Sequence, residues 1–534
     1  MDELKKYCIN HDILHEYIYE RSPEIVASFI KNKLMDKKIL FYGDGGHSLE
    51  VISLLNSHLN ILGVIETLNK DEYFNNSDFG SLPIYKICDI KNLTFDFIIV
   101  LGYWTEKLLN EFIEKNNLPL NKVLNIYKEK DIQKLNKEKL LKQIRKNFIT
   151  NEKKSLAIIL RWDNRDPITM SSFELSKEYR LTKIYLTSNN IEEENQFFDN
   201  VICCNNNGSY YELLLEELEF DVVIFNNVDT RGINLAYYSM LKIKTKNRSK
   251  FFFTTTEDSF GYLTPFTNED YKGMIIGIDD EYVECSKKSY LSILSDGDGY
   301  ITNITGPILN KIKKVCFNPL FYMHFVEEKY FIDSSNIDYD SNLKFVFTGA
   351  VRVLEKNDHR VLQGQDLFKV FSKLTEYLDC SVDVWSSQFI AEQTKNDLYV
   401  NNNIYIHDFI VHSKIVETIS SYHFGVISRS FDMTDDVAEL FREHDKSHIF
   451  AKFMTYIAAG LPIIVQDRCS AISNIVEKYN IGIVFKMENI SNLKNIINNI
   501  NYGQMRKNVR SFQLYYLNSN PPLQLKNYLL NNRK

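Results

Sequence analysis

AKFMTYIAAGLPIIVQDRCSAISNIVEKYNIGIVF, residues 451–485, reads as a helix, a stop, a buried strand, a second helix and a second strand. Lys452 to Ala459 are good helix formers, and Phe453, Tyr456 and Ile457 share one face by three- and four-residue spacing. Gly460 is placed to end the helix in a left-handed conformation, and Pro462 bars its continuation. Ile463-Ile464-Val465 is wholly apolar, as a strand covered on both faces would be. Ser470 can cap the next helix, 471–478, and Gly482 punctuates before Ile483-Val484-Phe485. The unit is an α/β crossover near the end of a parallel sheet.

The same alternation extends upstream. Lys344 to Thr348 is an apolar strand running into Gly349, with Arg352 just beyond. A helix over 366–377, strands over 380–385 and 404–406, a helix over 414–422 and a strand over 424–428 follow, the last ending at Arg429. A second such series starts at 155–160, with strands over 183–186, 220–225 and 251–254. Short apolar strands alternating with amphipathic helices argue doubly wound parallel sheets, whose ligands sit beyond the carboxyl ends of the strands. Polar loops at 163–166, 226–229 and 257–258 fall at that edge. Carboxylates stand in these loops, Glu257, Asp258 and Asp166, and a carboxylate within hydrogen-bond reach of a hydroxyl can serve as a general base. Each of the three, taken singly, reads first as a cap of the turn that follows it.

A third series opens the chain. The strand 38–42 runs straight into Gly43-Asp44-Gly45-Gly46-His47-Ser48, then a helix, then a strand over 61–65 ending at Glu66. A glycine turn followed by an acid about 20 residues on matches the dinucleotide fingerprint, with Ser48 in place of the third glycine. Gly43, Gly45, Gly46 and Glu66 are therefore candidate nucleotide-binding residues. The alternative is a glycine turn that packs a helix and binds nothing.

Composition narrows the function classes. Roughly three domains fit the length, and the hydrophobic (44%) and charged (25%) fractions are those of a globular protein. A net charge of −7 with no long basic block leaves no electrostatic footprint for nucleic acid. The eight cysteines form no CxxC pair and have no metal-ligand spacing with histidine, so no metal site is expected and reduced thiols point to the cytoplasm. No signal-peptide core and no apolar run of ~20 residues is present, which leaves a cytoplasmic protein free to associate peripherally with the inner face of a membrane.

The segment K-x-x-x-Y-x-A-A-G-x-P-I-I over 452–464, the strand-to-Thr348-Gly349 turn with Arg352, and Asn480-Ile481-Gly482 resemble the donor lobe of bacterial glycosyltransferases of the GT-B fold, of the surface-polysaccharide type. The resemblance covers roughly 155–515 and is strongest in the last third. It implies two facing Rossmann-like lobes, an acceptor lobe over 154–340 and a donor lobe over 341–534. It implies transfer of a sugar from a nucleotide diphosphate sugar to a hydroxyl of a glycan, lipid-linked saccharide or protein, without a metal and without a further cofactor. Gly349, Arg352, Arg429 and Lys452 would hold the diphosphate, Tyr456 and Gly460 would belong to the donor-site helix, and the loop after 404–407 would face the base. Retaining members carry two glutamates eight positions apart; Ser447 and Thr455 occupy those places, so neither a retaining mechanism nor a glutamate contact to ribose is implied.

Residues 37–55 resemble the nucleotide-binding domain that opens bacterial sugar N-acyltransferases, although no hexapeptide repeat follows. The expected organisation is thus a small Rossmann-like domain over 1–130, a helical linker over 131–153, and the two lobes. Two other readings compete: a sugar-nucleotide-modifying enzyme led by the first domain, and a non-catalytic glycan- or partner-binding module on a degenerate transferase fold.

Overall fold

The computed structural model describes residues 23–531 outside the stretches 43–45, 56–58, 66–81, 102–112, most of 127–152, 163–166, 188–194, 205–207, 229–231, 245–248, 256–279, 317, 324–325, 334–341, 350–366, 387–402, 408–409, 411 and 430–445. The described residues fall into two compact units, those of Leu14–Thr150 with Asn206–Leu218, and those of Asn151–Asn205 with Glu219–Lys534.

The first unit carries a five-stranded sheet of β1 (Lys38–Tyr42), β2 (Asn60–Ile65), β3 (Ile84–Tyr85), β4 (Phe97–Val100) and β5 (Val123–Asn125), in the order β3-β2-β1-β4-β5. All its pairings are parallel. Alternation along β1 decides the layers: Ile39 and Phe41 enter one buried cluster with Val51 and Ile52, and Leu40 and Tyr42 enter the other with Ile98 and Val100. The helix α1 (Gly46–Leu55) follows β1, as the glycine turn predicts.

The second unit contains two larger sheets. One has seven strands: β6 (Lys154–Trp162), β7 (Tyr179–Thr187), β8 (Asn200–Cys203), β9 (Val222–Val228), β10 (Lys250–Thr255), β11 (Gly299–Thr302) and β12 (Leu320–Phe321), ordered β12-β11-β10-β9-β6-β7-β8. The other has six: β13 (Leu343–Gly349), β14 (Cys380–Ser386), β15 (Ile404–His407), β16 (Phe424–Ile427), β17 (Ile463–Gln466) and β18 (Gly482–Phe485), ordered β15-β14-β13-β16-β17-β18. Every pairing in both is parallel. Each sheet starts in its middle, runs outward one way and then reverses, which is the doubly wound Rossmann order. The fold is α/β, two Rossmann-like lobes with a separate small Rossmann-like domain before them.

Helices close the lobes: α2 (Gly306–Val315) after β11, α3 (His412–Ile419) after β15, α4 (Ala451–Ala458) and α5 (Ser470–Tyr479) on either side of β17, then α6 (Tyr502–Asn518) and α7 (Pro521–Asn531). One apolar cluster runs through both lobes, from Leu156, Ile224 and Phe252 to Val346, Phe453, Tyr456, Phe512 and Leu525. Each such side chain buried adds about 1.5–3 kcal/mol relative to exposure. The last helix returns to the first lobe. Tyr528 Oη accepts from the Tyr300 amide at 3.0 Å and donates to the Asn318 carbonyl at 3.0 Å. Lys526 Nζ pairs with Glu174 Oε1 at 2.7 Å, both groups largely buried.

Candidate active site

The site sits where the six-stranded sheet reverses, between the carboxyl ends of β13 and β16, the place where open α/β sheets bind ligands. β13 and β16 pair only through Phe345↔Phe424 and Val346↔Gly425, and then separate. Tyr456 of α4 fills the gap. Its hydroxyl accepts from the Thr348 amide at 2.9 Å and donates to the Val426 carbonyl at 3.2 Å, and it is fully buried. Burial pushes the phenol pKa upward beyond the bond from Thr348, so the group stays a neutral hydroxyl. The residue the sequence places on the donor-site helix is thus a spacer holding the two strands apart.

Beyond that spacer, β13 ends at Gly349 with φ +128°, a left-side conformation that favours glycine. A Cβ there would stand 3.4 Å from Lys452 Nζ. Lys452 is the second residue of α4, at the positive end of its dipole. Its ammonium lies 3.9 Å from the Phe347 ring centroid and 6.0 Å from that of Phe450. Arg429, just past β16, stacks its guanidinium on Phe450 at 4.5 Å. Its amide donates to Gln466 Oε1 at 3.1 Å, an atom that also accepts from Ser428 Oγ at 2.9 Å. Two cations therefore share one aromatic platform beside a glycine strand-end. Such a set suits phosphate oxygens: charge from two side chains and close backbone approach.

The lobe of the seven-stranded sheet reaches this point through the residues just before α4. Ile304 and His448 form an antiparallel bridge, and the Thr305 amide donates to the Ser447 carbonyl at 2.6 Å. Asn303 Nδ2 donates to the Ile449 carbonyl at 3.1 Å and lies 3.0 Å from His448 Nε2. As the amide donates, the imidazole accepts at Nε2. A cavity of about 480 Å³ adjoins this seam, lined from the start of α2 by Thr305 and Gly306, from the start of α5 by Ser470 and Asn474, and by Lys446 and Ile449. The carboxyl edges of the two sheets thus meet around one space, as facing lobes require.

A second polar group closes the carboxyl ends of β14 and β15. His407 Nε2 is hydrogen-bonded to Asp383 Oδ1, and the His407 ring stacks on Trp385 with centroids 4.3 Å apart and planes 12° apart. Trp385 Nε1 reaches Tyr422 Oη at 3.4 Å. Burial raises the Tyr422 phenol to about 12, with the Trp385 bond opposing and Asp383 adding to the rise.

Of the sequence candidates, Gly349, Lys452 and Arg429 come together. Gly460 takes φ +70° and ends α4 at the opposite, amino edge of the sheet, where its amide bonds the Ile457 carbonyl at 2.9 Å and that of Leu461 bonds Tyr456 at 2.9 Å. Gly46 begins α1. Arg352, Glu257, Asp258, Asp166, Gly43, Gly45 and Glu66 lie outside the described residues. Ser447 is wholly buried, and Thr455 Oγ1 bonds back to the Ala451 carbonyl at 3.4 Å within its own helix. Ser470 is the first helical residue of α5 rather than its cap; Cys469 holds that place, with no side-chain cap. Phe450, Gln466 and Asn303 escaped the sequence reading. Phe450 alone carried a signal, as an aromatic two residues before a lysine at a helix start.

The family model described as Glucosyltransferase 3-like, C-terminal domain, matches residues 370–519. No curated protein matches the chain by sequence. Among solved structures, sucrose-phosphate synthase from Thermosynechococcus elongatus is similar at 11% identity and a TM-score of 0.45, over 70% of this chain and 97% of that one. An α,α-trehalose-phosphate synthase (UDP-forming) from Burkholderia vietnamiensis aligns at 6% identity and a TM-score of 0.44, over 72% and 98%. T4 phage BGT, in complex with its UDP-glucose substrate, aligns at 10% identity and a TM-score of 0.35, over 70% and 96%.

Proposed function

We propose that the protein is a glycosyltransferase that moves a sugar from a nucleotide diphosphate sugar to a hydroxyl of a glycan, lipid-linked saccharide or protein, in the synthesis of cell-surface glycan. The observation that carries this is the gathering of Lys452 and Arg429 around Phe450, with Gly349 beside Lys452, at the reversal point of the six-stranded sheet. The match of the glucosyltransferase 3-like C-terminal domain to the same lobe supports it.

In this reading the leaving group is a nucleoside diphosphate, and its developing charge is stabilised by positioned cations and amides, an electrostatic contribution of the oxyanion-hole kind. Lys452 and Arg429 supply the cations, and Arg352, four residues beyond Thr348 in the sequence, is assigned as a third. The stabilisation comes from side chains, so the transfer proceeds without a metal or a further cofactor. Glu257, Asp258 or Asp166 takes the proton from the acceptor hydroxyl. Work at the cytoplasmic face of a membrane fits a lipid-linked acceptor. Among the described residues no helix is long and apolar enough to cross a membrane.

Incubation with UDP-, GDP-, CMP- and dTDP-sugars, with released nucleotide measured, tests the reading. Release from at least one donor, lost in Lys452→Ala, is expected. No release and no thermal shift with any donor would overturn the transferase.

A further inference from the structure

The bridge between the two lobes, Ile304 to His448, is antiparallel, against the parallel run of both sheets. Ile304, His448 and Ile449 are each 2% exposed or less. Residues 303–305 of one lobe thereby hold 447–449 of the other, the segment that leads into α4. Residues 430–445, which precede that segment, lie outside the described residues. Thr305 donates to the Ser447 carbonyl from its amide, at 2.6 Å, and from its hydroxyl, at 3.2 Å. Asn303 takes both main-chain groups of Ile449. Its carbonyl accepts from the Ile449 amide at 3.4 Å, and its Nδ2 donates to the Ile449 carbonyl at 3.1 Å. A carbonyl oxygen only accepts, so this last bond fixes which end of the Asn303 amide faces the other lobe. The same Nδ2 lies 3.0 Å from His448 Nε2.

Phe450 comes next in the chain. It stands at the N-cap of α4, where a phenyl ring cannot accept from the helix amides, so its own side chain does not fix the entry of the helix. The ring instead packs edge-on against His448, with centroids 4.9 Å apart and planes at 76°. It carries Arg429 at 4.5 Å and has Lys452 at 6.0 Å. Direct contacts therefore run from Asn303 through His448 and Ile449 to Phe450, and from that ring to both cations.

We propose that Asn303 is a positioning residue: from the lobe of the seven-stranded sheet it sets the Phe450 ring, and through it Lys452 and Arg429, where they meet a diphosphate. The meeting with a diphosphate rests on the transferase function proposed above; the placement of the ring and of Lys452 does not. Charge-assisted hydrogen bonds are directional, so a small displacement of the cations weakens them. A diphosphate that binds best to positioned cations favours the docked arrangement of the two lobes at this seam.

The position of Lys452 can be followed without any donor. Reductive methylation of the full chain with 13C-formaldehyde keeps the lysine charge, and the Lys452 methyl signal is identified by its loss in Lys452→Arg. Asn303→Ala, folded by circular dichroism, is expected to shift that signal, because the ammonium sits 3.9 Å from the Phe347 ring centroid and feels its ring current. Asn303→Leu keeps the approximate shape and removes both donations; it is expected to do the same, and it serves if the alanine variant does not fold. Isothermal titration with UDP, GDP, CDP and dTDP supplies the second readout. The tightest of these is expected to bind either variant about tenfold more weakly. Phe450→Leu is expected to weaken it too, and to remove any further effect of Asn303→Leu in the double variant, which a merely structural role would not do. An unmoved Lys452 signal, or losses that add in the double variant, would overturn the proposal. If no nucleoside diphosphate binds the wild type, the transferase reading fails, and the Lys452 signal alone decides the placement.

Discussion

Tyr456 lies across Gly425: a Cβ built on that glycine would stand 2.4 Å from the tyrosine ring. The ring can come that close only to a residue with no side chain, and the hydroxyl then reaches both separating strands. Gly425→Ala is expected to destabilise the protein by about 1–3 kcal/mol through overpacking. Tyr456→Phe, which keeps the ring, is expected to cost a similar ~1–3 kcal/mol by leaving the Thr348 amide and Val426 carbonyl without their bridge. Denaturant titration of both variants measures this; unchanged midpoints would show that the bridge is dispensable.

Gly349→Ala combines a positive φ with a Cβ 3.4 Å from Lys452 Nζ. The strain costs about 1–3 kcal/mol and the ammonium must move. Donor affinity is expected to fall along with stability. A variant that loses stability but binds donor nucleotide as tightly as wild type would detach Gly349 from the site.

Glu174 links pH to the return of α7 onto the lobe of the seven-stranded sheet. Burial pushes its carboxyl up, but Lys177 and Lys526 outweigh that and leave its pKa below the ordinary 4.5. A depressed carboxylate pKa means the unfolded chain takes up the proton first. Its contribution is thus complete above about pH 4.5 and is lost as pH falls through the folded value. Lys526→Ala is expected to cost about 1–3 kcal/mol near neutrality and progressively less in acid. A cost that stays constant with pH in denaturant titrations would remove the ion pair from the explanation.

Metal removal tests the electrostatic reading of the chemistry. EDTA is expected to leave nucleotide release unchanged, since the proposed reading has cationic side chains, Lys452 and Arg429, meet the diphosphate. Release that stops with EDTA and returns with a divalent ion would contradict it.

The parts of this molecule legible in the sequence are those fixed by near neighbours. Ile463 to Val465 and Phe345 to Phe347 are apolar runs, and they are central strands. Gly460 and Pro462 mark the end of α4 because left-handed geometry and a missing amide act within a few residues. The resemblance named Lys452 and Gly349 together as phosphate-binding residues, and the structure places them side by side. Contacts made across long stretches of chain were not. Asn303 meets His448 across 145 residues, and Tyr528 meets Tyr300 across 228, and neither contact leaves a local pattern. The bridging part of Tyr456 was hidden for the same reason: its place on the helix and its buried face were evident, but the gap it fills exists only once β13 and β16 diverge.

The central claim is that Lys452 and Arg429 bind a diphosphate at the reversal point of the donor sheet, and the most direct test is the preference for nucleoside diphosphate over monophosphate. Isothermal titration with the di- and monophosphate of the donor's own base, in wild type and Lys452→Ala, measures it. The wild type is expected to favour the diphosphate, and Lys452→Ala to weaken diphosphate binding about 10- to 100-fold while leaving the monophosphate nearly unchanged. Equal loss for both ligands, or none for either, would contradict the account.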